Sequence, residues 1–426
     1  MRPLPLFVSW RGWVGFVLLC ALLLGLNLAW QFYHYQQFVA DRFYHTQALI
    51  THQRLKTNAN NTPYWTLHLH NRHLGTFYTT TYEPLRDITH REVTLTLITE
   101  GVGFVAFLRG FYAPSFRISL LPDQRPGPYE QLLGAIASQH KSAEGAQLFG
   151  ALTLASPIEP DLREAITRFG IAHLVALSGF HLGILTLLIA ALLNPPYRFL
   201  HRHLFPWRNR FFDLGAITFG VLLGYLLFTQ TPPSLLRAFG MFAFGLFLLS
   251  RNLQILSFLN LLVVVAFLVA LFPGLLFSIG FGLSVAGVFY IFLYLRDFDR
   301  TVGWKNGLLL GLYVFVAMLP IVHFFFPLAS LTQWLSPVLS LLFIPFYPVA
   351  IALHLVGLGE WAAQMVLPLF TIELAVWSVQ TPGWFLGLYL LLSLLAAWQR
   401  RFHRPLLGAM GGWALWQYGV LSLYGG

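Results

Sequence analysis

The chain has 426 residues, of which 57% are hydrophobic and only 10% are charged, and its mean hydropathy is +0.66. Soluble globular domains carry about 25% charged residues, so this composition excludes a soluble protein and predicts a multi-pass membrane protein. The net charge is +10. Arginine also collects in the cytoplasmic loops of membrane proteins, so charge alone identifies no nucleic-acid partner. The single cysteine, Cys20, excludes an internal disulfide, and the sequence contains no P-loop motif for ATP.

The amino-terminal stretch is apolar over residues 13–33 and follows Arg2 and Arg11. It lacks the small-residue cleavage site of a signal peptide. We therefore predict an uncleaved transmembrane helix, domain 1–34, whose amino end lies in the cytoplasm. The following residues, 35–61, are polar and are predicted to form a partly helical linker.

Residues 62–122 form a second domain with a different pattern, in which apolar and polar residues alternate with period two. This pattern predicts five short strands, near residues 64–70, 75–82, 92–100, 104–112 and 115–121. We expect an extracytoplasmic β-barrel of OB-like type, with an antiparallel sandwich as the alternative. Aromatic residues beside arginines suggest a face that stacks bases and binds phosphates. The candidates for this face are Tyr64, Trp65, Arg72, Phe77 and Tyr78.

The run His68-Leu69-His70-Asn71-Arg72-His73 nearly matches the HxHxDH zinc motif of metallo-β-lactamase-type nucleases. Arg72 stands where that motif needs aspartate and would place a cation against the metals. The alternation of histidine with leucine is also that of an exposed strand face. We therefore predict no metal site, no cofactor and no catalytic residue.

The remaining chain is predicted to contain a surface segment followed by a helical bundle. Residues 127–165 are amphipathic and are expected to lie along the membrane surface. Domain 166–426 then contains ten apolar segments of near-spanning length. These cover residues 170–193, 212–229, 233–250, 253–272, 275–295, 307–327, 334–357, 361–379, 384–399 and 406–423. Arginines follow alternate segments as the positive-inside rule requires. With the amino-terminal helix, the prediction is an all-α transmembrane bundle of about 11 helices.

The segment 170–193 carries histidines and a serine at predicted membrane depth, where ionisable groups usually face a bundle interior or a watery path. On a continuous helix, His181 would lie about 80° from His173 and about 60° from Ser178. These three residues, with Arg168 just upstream, would form one polar arc. The alternative is a pair of satisfied core histidines among packing glycines.

This run, LREAITRFGIAHLVALSGFHLGIL from Leu162, closely resembles the signature of the ComEC family, the inner-membrane DNA channels of natural transformation. The family's second sequence element resembles the set Thr231, Pro233, Ser234 and Arg237 in this chain. The family's third element is similar to the run from Gly280 to Ser284. Two departures are Gly282 and Ser340, where the family has glutamine and asparagine. Members often carry a nuclease domain after the bundle, and the chain resembles a short form without it.

The resemblance implies a channel for single-stranded DNA in the cytoplasmic membrane, and not an enzyme. The implied pathway residues are Arg168, His173, Ser178, His181, Ser234, Arg237, Gly280 and Ser284. An anion entering a negative interior works against about 2.3 kcal/mol per charge per 100 mV. We therefore expect a cytosolic ATP-driven motor and single-strand-binding proteins as partners, with a DNA receptor and a separate nuclease outside. The sequence sets no oligomeric state.

Three other functions are alternatives to a DNA channel. A proton-coupled secondary transporter of a small anion could use His173 and His181, although no inverted repeat is found. A membrane hydrolase could use Ser178 with a histidine, but no third orienting acid lies nearby in the sequence. In a structural scaffold, the polar arc would have no use.

Overall fold

The structure is a computed structural model. It describes residues 6, 9–58, 60–71, 73–83, 88, 91–121, 127–251, 253, 257–298, 303–372 and 375–424. The chain divides into two compact units. The sheet unit comprises Phe7–Pro126 and Ala266–Ser278, and the bundle unit comprises Met1–Leu6, Gly127–Val265 and Ile279–Gly426. Each unit is described by itself below.

The sheet unit contains one antiparallel sheet of five strands in the order β3-β2-β1-β4-β5. Its elements are α1 (Trp10–Val39), β1 (Phe43–Thr57), β2 (Pro63–Asn71), β3 (Gly75–Thr81), β4 (Glu92–Ile98), α2 (Phe104–Arg109) and β5 (Ser115–Leu120). Alternate residues of the strands fill its core, among them Ile50, Leu67, Phe77 and Leu95. Period-two alternation therefore buries one face of the sheet, as the sequence predicted.

Two predictions for this unit were wrong. The 15-residue strand β1 occupies most of the stretch 35–61, which was predicted to be a polar, partly helical linker. Strand β1 buries Ala48 and Ile50 and is polar over most of its other positions. The sequence therefore lacks the regular apolar alternation that predicts a strand. The predicted strand 104–112 is instead the helix α2, whose Phe107 points into the core. Short apolar runs are compatible with either period.

The free edge of β3 is hydrogen-bonded to the segment that precedes β5. The Tyr78 N–H donates to the Phe111 carbonyl (2.8 Å), and the Ala113 N–H donates to the Tyr78 carbonyl (3.0 Å). The Thr79 hydroxyl also donates to Ser115 Oγ (2.7 Å). These bonds satisfy backbone groups that an edge strand would otherwise expose.

The apolar helix α1 carries one amide side chain that is bonded far along the chain. Asn27 Nδ2 donates to the carbonyls of Ala270 (3.1 Å) and Leu271 (2.9 Å). These carbonyls belong to the last turn of α10 (Phe258–Leu271), where helix carbonyls have no intrahelical partner. One amide thus satisfies two terminal carbonyls.

The bundle unit is helical apart from a two-stranded sheet. Its first helices are α3 (Pro128–Ala137), α4 (Ala143–Leu154), α5 (Pro160–Arg168), α6 (Ala172–Val175), α7 (Gly179–His203), α8 (Arg210–Phe228) and α9 (Pro233–Ser250). Its later helices are α11 (Ile279–Asp297), α12 (Trp304–Phe325), α13 (Ser336–Leu355), α14 (Gly359–Phe370), α15 (Gly383–Trp398) and α16 (His403–Tyr424). The strands β6 (Leu328–Ser330) and β7 (Val376–Ser378) pair antiparallel.

Six helices in the described ranges are long and apolar enough to cross a membrane, which fits a multi-pass membrane protein. They are Trp10–Val39, Gly179–His203, Arg210–Phe228, Ile279–Asp297, Trp304–Phe325 and Leu331–Leu355. Three further apolar helices are shorter. The predicted span 361–379 is not one helix, because α14 ends at Phe370 and β7 follows. Strand β6 precedes α13 and strand β7 follows α14. Their pairing brings together the start of α13 and the end of α14, so the two helices form a hairpin.

Helix α4 lies inside the bundle unit, whereas an amphipathic surface helix was expected to expose a polar face. Seven of its 12 residues are buried. Its carboxyl end is also bonded by tyrosines: Tyr129, Tyr225 and Tyr347 donate to the carbonyls of Leu154 (3.1 Å), Thr153 (2.5 Å) and Leu152 (3.2 Å). Three helices thus supply donors to the terminal carbonyls of α4.

Candidate functional site

The histidine motif lies where the chain breaks between helices, so the predicted continuous helix over 170–193 was wrong. Helix α5 runs to Arg168, and the turn that follows it contains Gly170, whose φ of +65° lies in the left-handed region. The N–H groups of Gly170 and Ile171 donate to the carbonyls of Thr167 (2.9 Å) and Ile166 (3.3 Å). This pair of bonds is the Schellman end of a helix, which favours glycine at this position.

Ser178 begins α7 instead of lying along a helix face. Its backbone is extended, and its hydroxyl accepts from the Phe180 N–H (3.3 Å). His181 completes a capping box, because its Nδ1 accepts from the Ser178 N–H (3.4 Å) and lies 3.3 Å from Ser178 Oγ. The contact between serine and histidine therefore caps a helix. The angles expected from a single helix do not apply.

His181 is completely buried beneath two aromatic rings. Its imidazole meets Phe343 and Tyr347 edge to face, at ring-centroid distances of 5.2 and 4.8 Å. Because Nδ1 accepts a hydrogen bond, the neutral ring carries its proton on Nε2. In the described part of the chain, Nε2 has no hydrogen-bond partner. A buried donor left unpaired costs about 1–3 kcal/mol, so this atom is suited to an acceptor that comes from outside the chain.

His173 is exposed and takes part in a separate network with α13. Its Nε2 lies 3.2 Å from Ser340 Oγ, and the Ser340 hydroxyl donates to the Ser336 carbonyl (2.8 Å). The Ser336 hydroxyl in turn donates to the carbonyl of Gly170 (3.0 Å). Ser340 replaces the asparagine expected from the family pattern, and the structure brings its hydroxyl to the histidine.

Arg168 is held at the end of α5. Its guanidinium pairs with Glu164 (3.3 Å), and its carbonyl accepts from the Thr332 hydroxyl (2.6 Å). The side chain of Gln333 also packs where a Cβ on Gly170 would point. The segment before α13 therefore fixes the turn that precedes His173.

Arg237 is buried in α9, with 7% of its surface exposed. The alternative in which it snorkels to the membrane interface is therefore wrong. Among the described residues, its Nε has no hydrogen-bond partner. Ser234 lies one turn earlier and is half-buried. The prediction that Thr231-Pro232-Pro233 starts this helix is confirmed, with Pro232 at the N-cap.

The amino end of α7 lies directly against α9 beside Arg237. A Cβ on Gly179 would be 3.6 Å from the Ala238 Cβ, which is ordinary contact. Two unpaired buried donors, on His181 and Arg237, therefore belong to helices that touch. The first N–H groups of α7 add the partial positive charge of a helix start, equivalent to about +0.5 of a charge. The arrangement is suited to an anion.

Gly280 and Ser284 lie in the first turns of α11. Gly280 is exposed and Ser284 is half-buried. No hydrogen bond between described residues joins either one to His173, His181 or Arg237.

The five aromatic and basic candidates in the sheet unit differ in burial. Phe77 is a core residue that stacks on Phe111 (5.5 Å), so its predicted role in a binding face was wrong. Trp65 is partly buried against the same core. Tyr64 and Tyr78 are half-buried on the sheet, and Arg72 lies outside the described residues.

Comparison with known proteins identifies the family. A family model described as "Competence protein" matches residues 152–424. An uncharacterized protein of Aquifex aeolicus (strain VF5) is 28% identical over 219 residues, which cover 50% of this chain and 47% of that protein. The chain thus spans about half the length of the curated relative it matches. No solved structure matches. Because the family model covers most of the chain, including the histidine motif and Arg237, the chain belongs to the competence protein family.

Proposed function

We propose that the protein is a channel that moves single-stranded DNA across the cytoplasmic membrane during natural transformation. The observation that carries this proposal is the pair of buried, unpaired donors on touching helices, His181 Nε2 and Arg237 Nε. A phosphate oxygen would supply the acceptor that both atoms lack. Membership of the competence protein family supports a role in DNA uptake.

The pathway would run beside the start of α7, where Ser178 is the helix cap. His173, Arg168 and Ser234 would line its approach. The glycines of α11 are consistent with room for a polymer: a Cβ on Gly282 or Gly287 would meet no atom within 4 Å. Close packing against the residues that the structure describes therefore does not explain these two glycines. We assign Gly280 and Ser284 to this wider part of the path.

The sheet unit would receive the strand outside the membrane as an OB-type barrel. The strand order and the bonds from β3 to the segment before β5 support closure of the sheet. Tyr64, Trp65 and Tyr78 are the aromatic residues proposed to contact bases, with Arg72 contacting phosphate. The amino terminus would lie in the cytoplasm, as Arg2 and Arg11 indicate.

Inward movement of a polyanion needs an energy source. Each charge opposes about 2.3 kcal/mol per 100 mV of a negative interior. The proposed partners are a cytosolic ATP-driven motor and single-strand-binding proteins, with a DNA receptor and a separate nuclease outside. In this proposal the chain is a channel and not an enzyme.

The test replaces Arg237 in cells that are given labelled DNA. Arg237→Gln removes the buried charge, and Arg251→Gln is the matched control, because Arg251 is exposed at the end of the same helix. A hydrogen bond to a charged group contributes about 1.5–3 kcal/mol, so cytoplasmic DNA should fall about tenfold or more in Arg237→Gln only. Protein levels are measured in parallel by immunoblotting.

Normal DNA uptake by the Arg237→Gln variant at normal abundance would remove the basis of the proposal. The small-anion transporter is the alternative. It predicts a lost proton-driven anion flux in reconstituted vesicles with no change in DNA uptake. His181→Ala, with the exposed His203→Ala as its control, repeats the comparison at the second donor.

A further inference from the structure

Two helix hairpins of the bundle unit meet at their tips. The turn between α3 and α4 carries His140, and the turn between α13 and α14 is flanked by His354 and Glu360. The two Nε2 atoms of the histidines lie 3.1 Å apart. Backbone bonds hold the same contact, since Gln139 Nε2 donates to the His354 carbonyl (3.1 Å) and the Lys141 N–H donates to Glu360 Oε2 (3.0 Å).

The hydrogen-bond partners determine which nitrogen carries each proton. His354 Nδ1 lies 2.7 Å from the Ala350 carbonyl, which can only accept, so this nitrogen carries a hydrogen. In the neutral ring, His354 Nε2 is then a bare acceptor. The contact therefore requires His140 Nε2 to donate. His140 Nδ1 is left bare, 3.7 Å from Glu360 Oε2.

We propose that His140 and His354 are a proton-binding site that joins the two hairpins through one shared N–H and releases them when both rings are charged. A first proton on His140 Nδ1 would face the Glu360 carboxylate and leave the shared bond intact. A second proton on His354 Nε2 removes the only acceptor and sets two cationic N–H groups against each other. Release therefore takes up protons.

The surroundings resist charging of the closed pair. The His140 side chain is fully buried and stacks on Phe149 of α4 at 5.1 Å. Burial lowers the pKa of His140, the neighbouring His354 lowers it further, and Glu360 opposes both effects. The other charged groups on the packed elements are Glu130, which is half-buried near the start of α3, and Lys141 and Glu144, which are exposed. The closed contact thus binds protons less readily than separated tips would.

One of the two hairpins contributes to the histidine site described above. Helix α13 carries Ser340, which contacts His173, and Tyr347, which contacts both His181 and the carboxyl end of α4. Separation of the tips would loosen α4 and α13 beside that site. This inference does not depend on DNA as the cargo.

The first test measures the distance between the tips in the full chain in lipid nanodiscs. Spin labels are placed by Ser138→Cys and Val356→Cys in a Cys20→Ser background, because both positions are exposed. We expect strong dipolar broadening at pH 8 and its reversible loss on acidification. In His140→Gln, the amide still donates but does not titrate, so broadening should persist in acid.

Dipolar broadening that does not change with pH would overturn the proposal. An equal loss of broadening in acid in His140→Gln would overturn it as well. A second measurement reads the tautomers of the wild-type pair directly. Solid-state ¹⁵N spectra of histidine-labelled wild type should show one Nδ1–H and one Nε2–H ring for this pair at pH 8. Signals are assigned by their loss in His140→Gln and His354→Gln, and two rings of the same tautomer would contradict the shared bond.

Discussion

The left-handed turn at Gly170 makes a measurable prediction about the motif that precedes His173. Gly170→Ala adds a Cβ 3.4 Å from the Gln333 Cβ and Cγ, which is ordinary contact, so little steric cost arises there. The cost comes from φ at +65°, because a left-handed α conformation costs an L residue about 1–2 kcal/mol. The free energy of unfolding should therefore fall by about that amount.

Gly183→Ala is the matched control on α7. No atom lies within 4 Å of its added Cβ. Alanine favours a helix interior over glycine by about 0.8–1.0 kcal/mol, so this variant should be more stable than wild type. The two substitutions should thus differ by about 2–3 kcal/mol and in sign. Denaturant unfolding of the full chain in mixed micelles measures both. Equal effects, or stabilisation by Gly170→Ala, would refute a left-handed turn here.

Three further outcomes follow from described contacts. Tyr225→Phe leaves the partly buried Thr153 carbonyl without its hydroxyl donor and should lower the unfolding free energy by about 1 kcal/mol in the same micelle assay, while no change would contradict the bond. Ser178→Ala removes the cap of α7 and should cost about 0.5–2 kcal/mol, with Ser178→Asn retaining most of the stability. Partial desolvation lowers the pKa of His70, although its side chain is exposed on the sheet, so the unfolded chain binds its proton more readily and the sheet should lose a small amount of stability as pH falls below about 6.5. Pulse proteolysis at pH 8 and pH 5.5 measures this loss, and His70→Gln should abolish the part due to this residue.

Structural features that depend on residues close together in the sequence were predictable. The strands over Tyr64–His70 and Gly75–Thr81 follow period-two alternation, and α9 starts where the two prolines allow a helix to begin. Both signals depend on residues within one or two turns of one another. The family signature likewise identified the segment that contains His173 and His181.

The break before α7 was missed because the residues around it are apolar. Hydropathy over Ala176-Leu177-Ser178 shows no interruption, and a capping box normally has glutamate or glutamine at the position that His181 occupies. A serine followed by glycine was the available signal for a helix start. Reading it would have placed Ser178 as a cap.

Contacts between distant segments could not be predicted from one chain. Ser340 meets His173 from 167 residues away, and His354 meets His140 from 214 residues away. Neither pair leaves a local pattern. The burial of α4 was missed for the same reason, because the tyrosines that bond its carboxyl end belong to three different helices.

The amide of Asn27 has a consequence for biosynthesis. Its two acceptors lie 243 and 244 residues later in the chain. At translation rates of about 5–20 residues per second, the first helix waits roughly 12–50 s for them to leave the ribosome. During that interval a polar group sits on an otherwise lipid-compatible helix without its final partners. Membrane insertion of the first helix and its docking are therefore separate events, and the insertion machinery must hold or hydrate this helix until the later segment arrives.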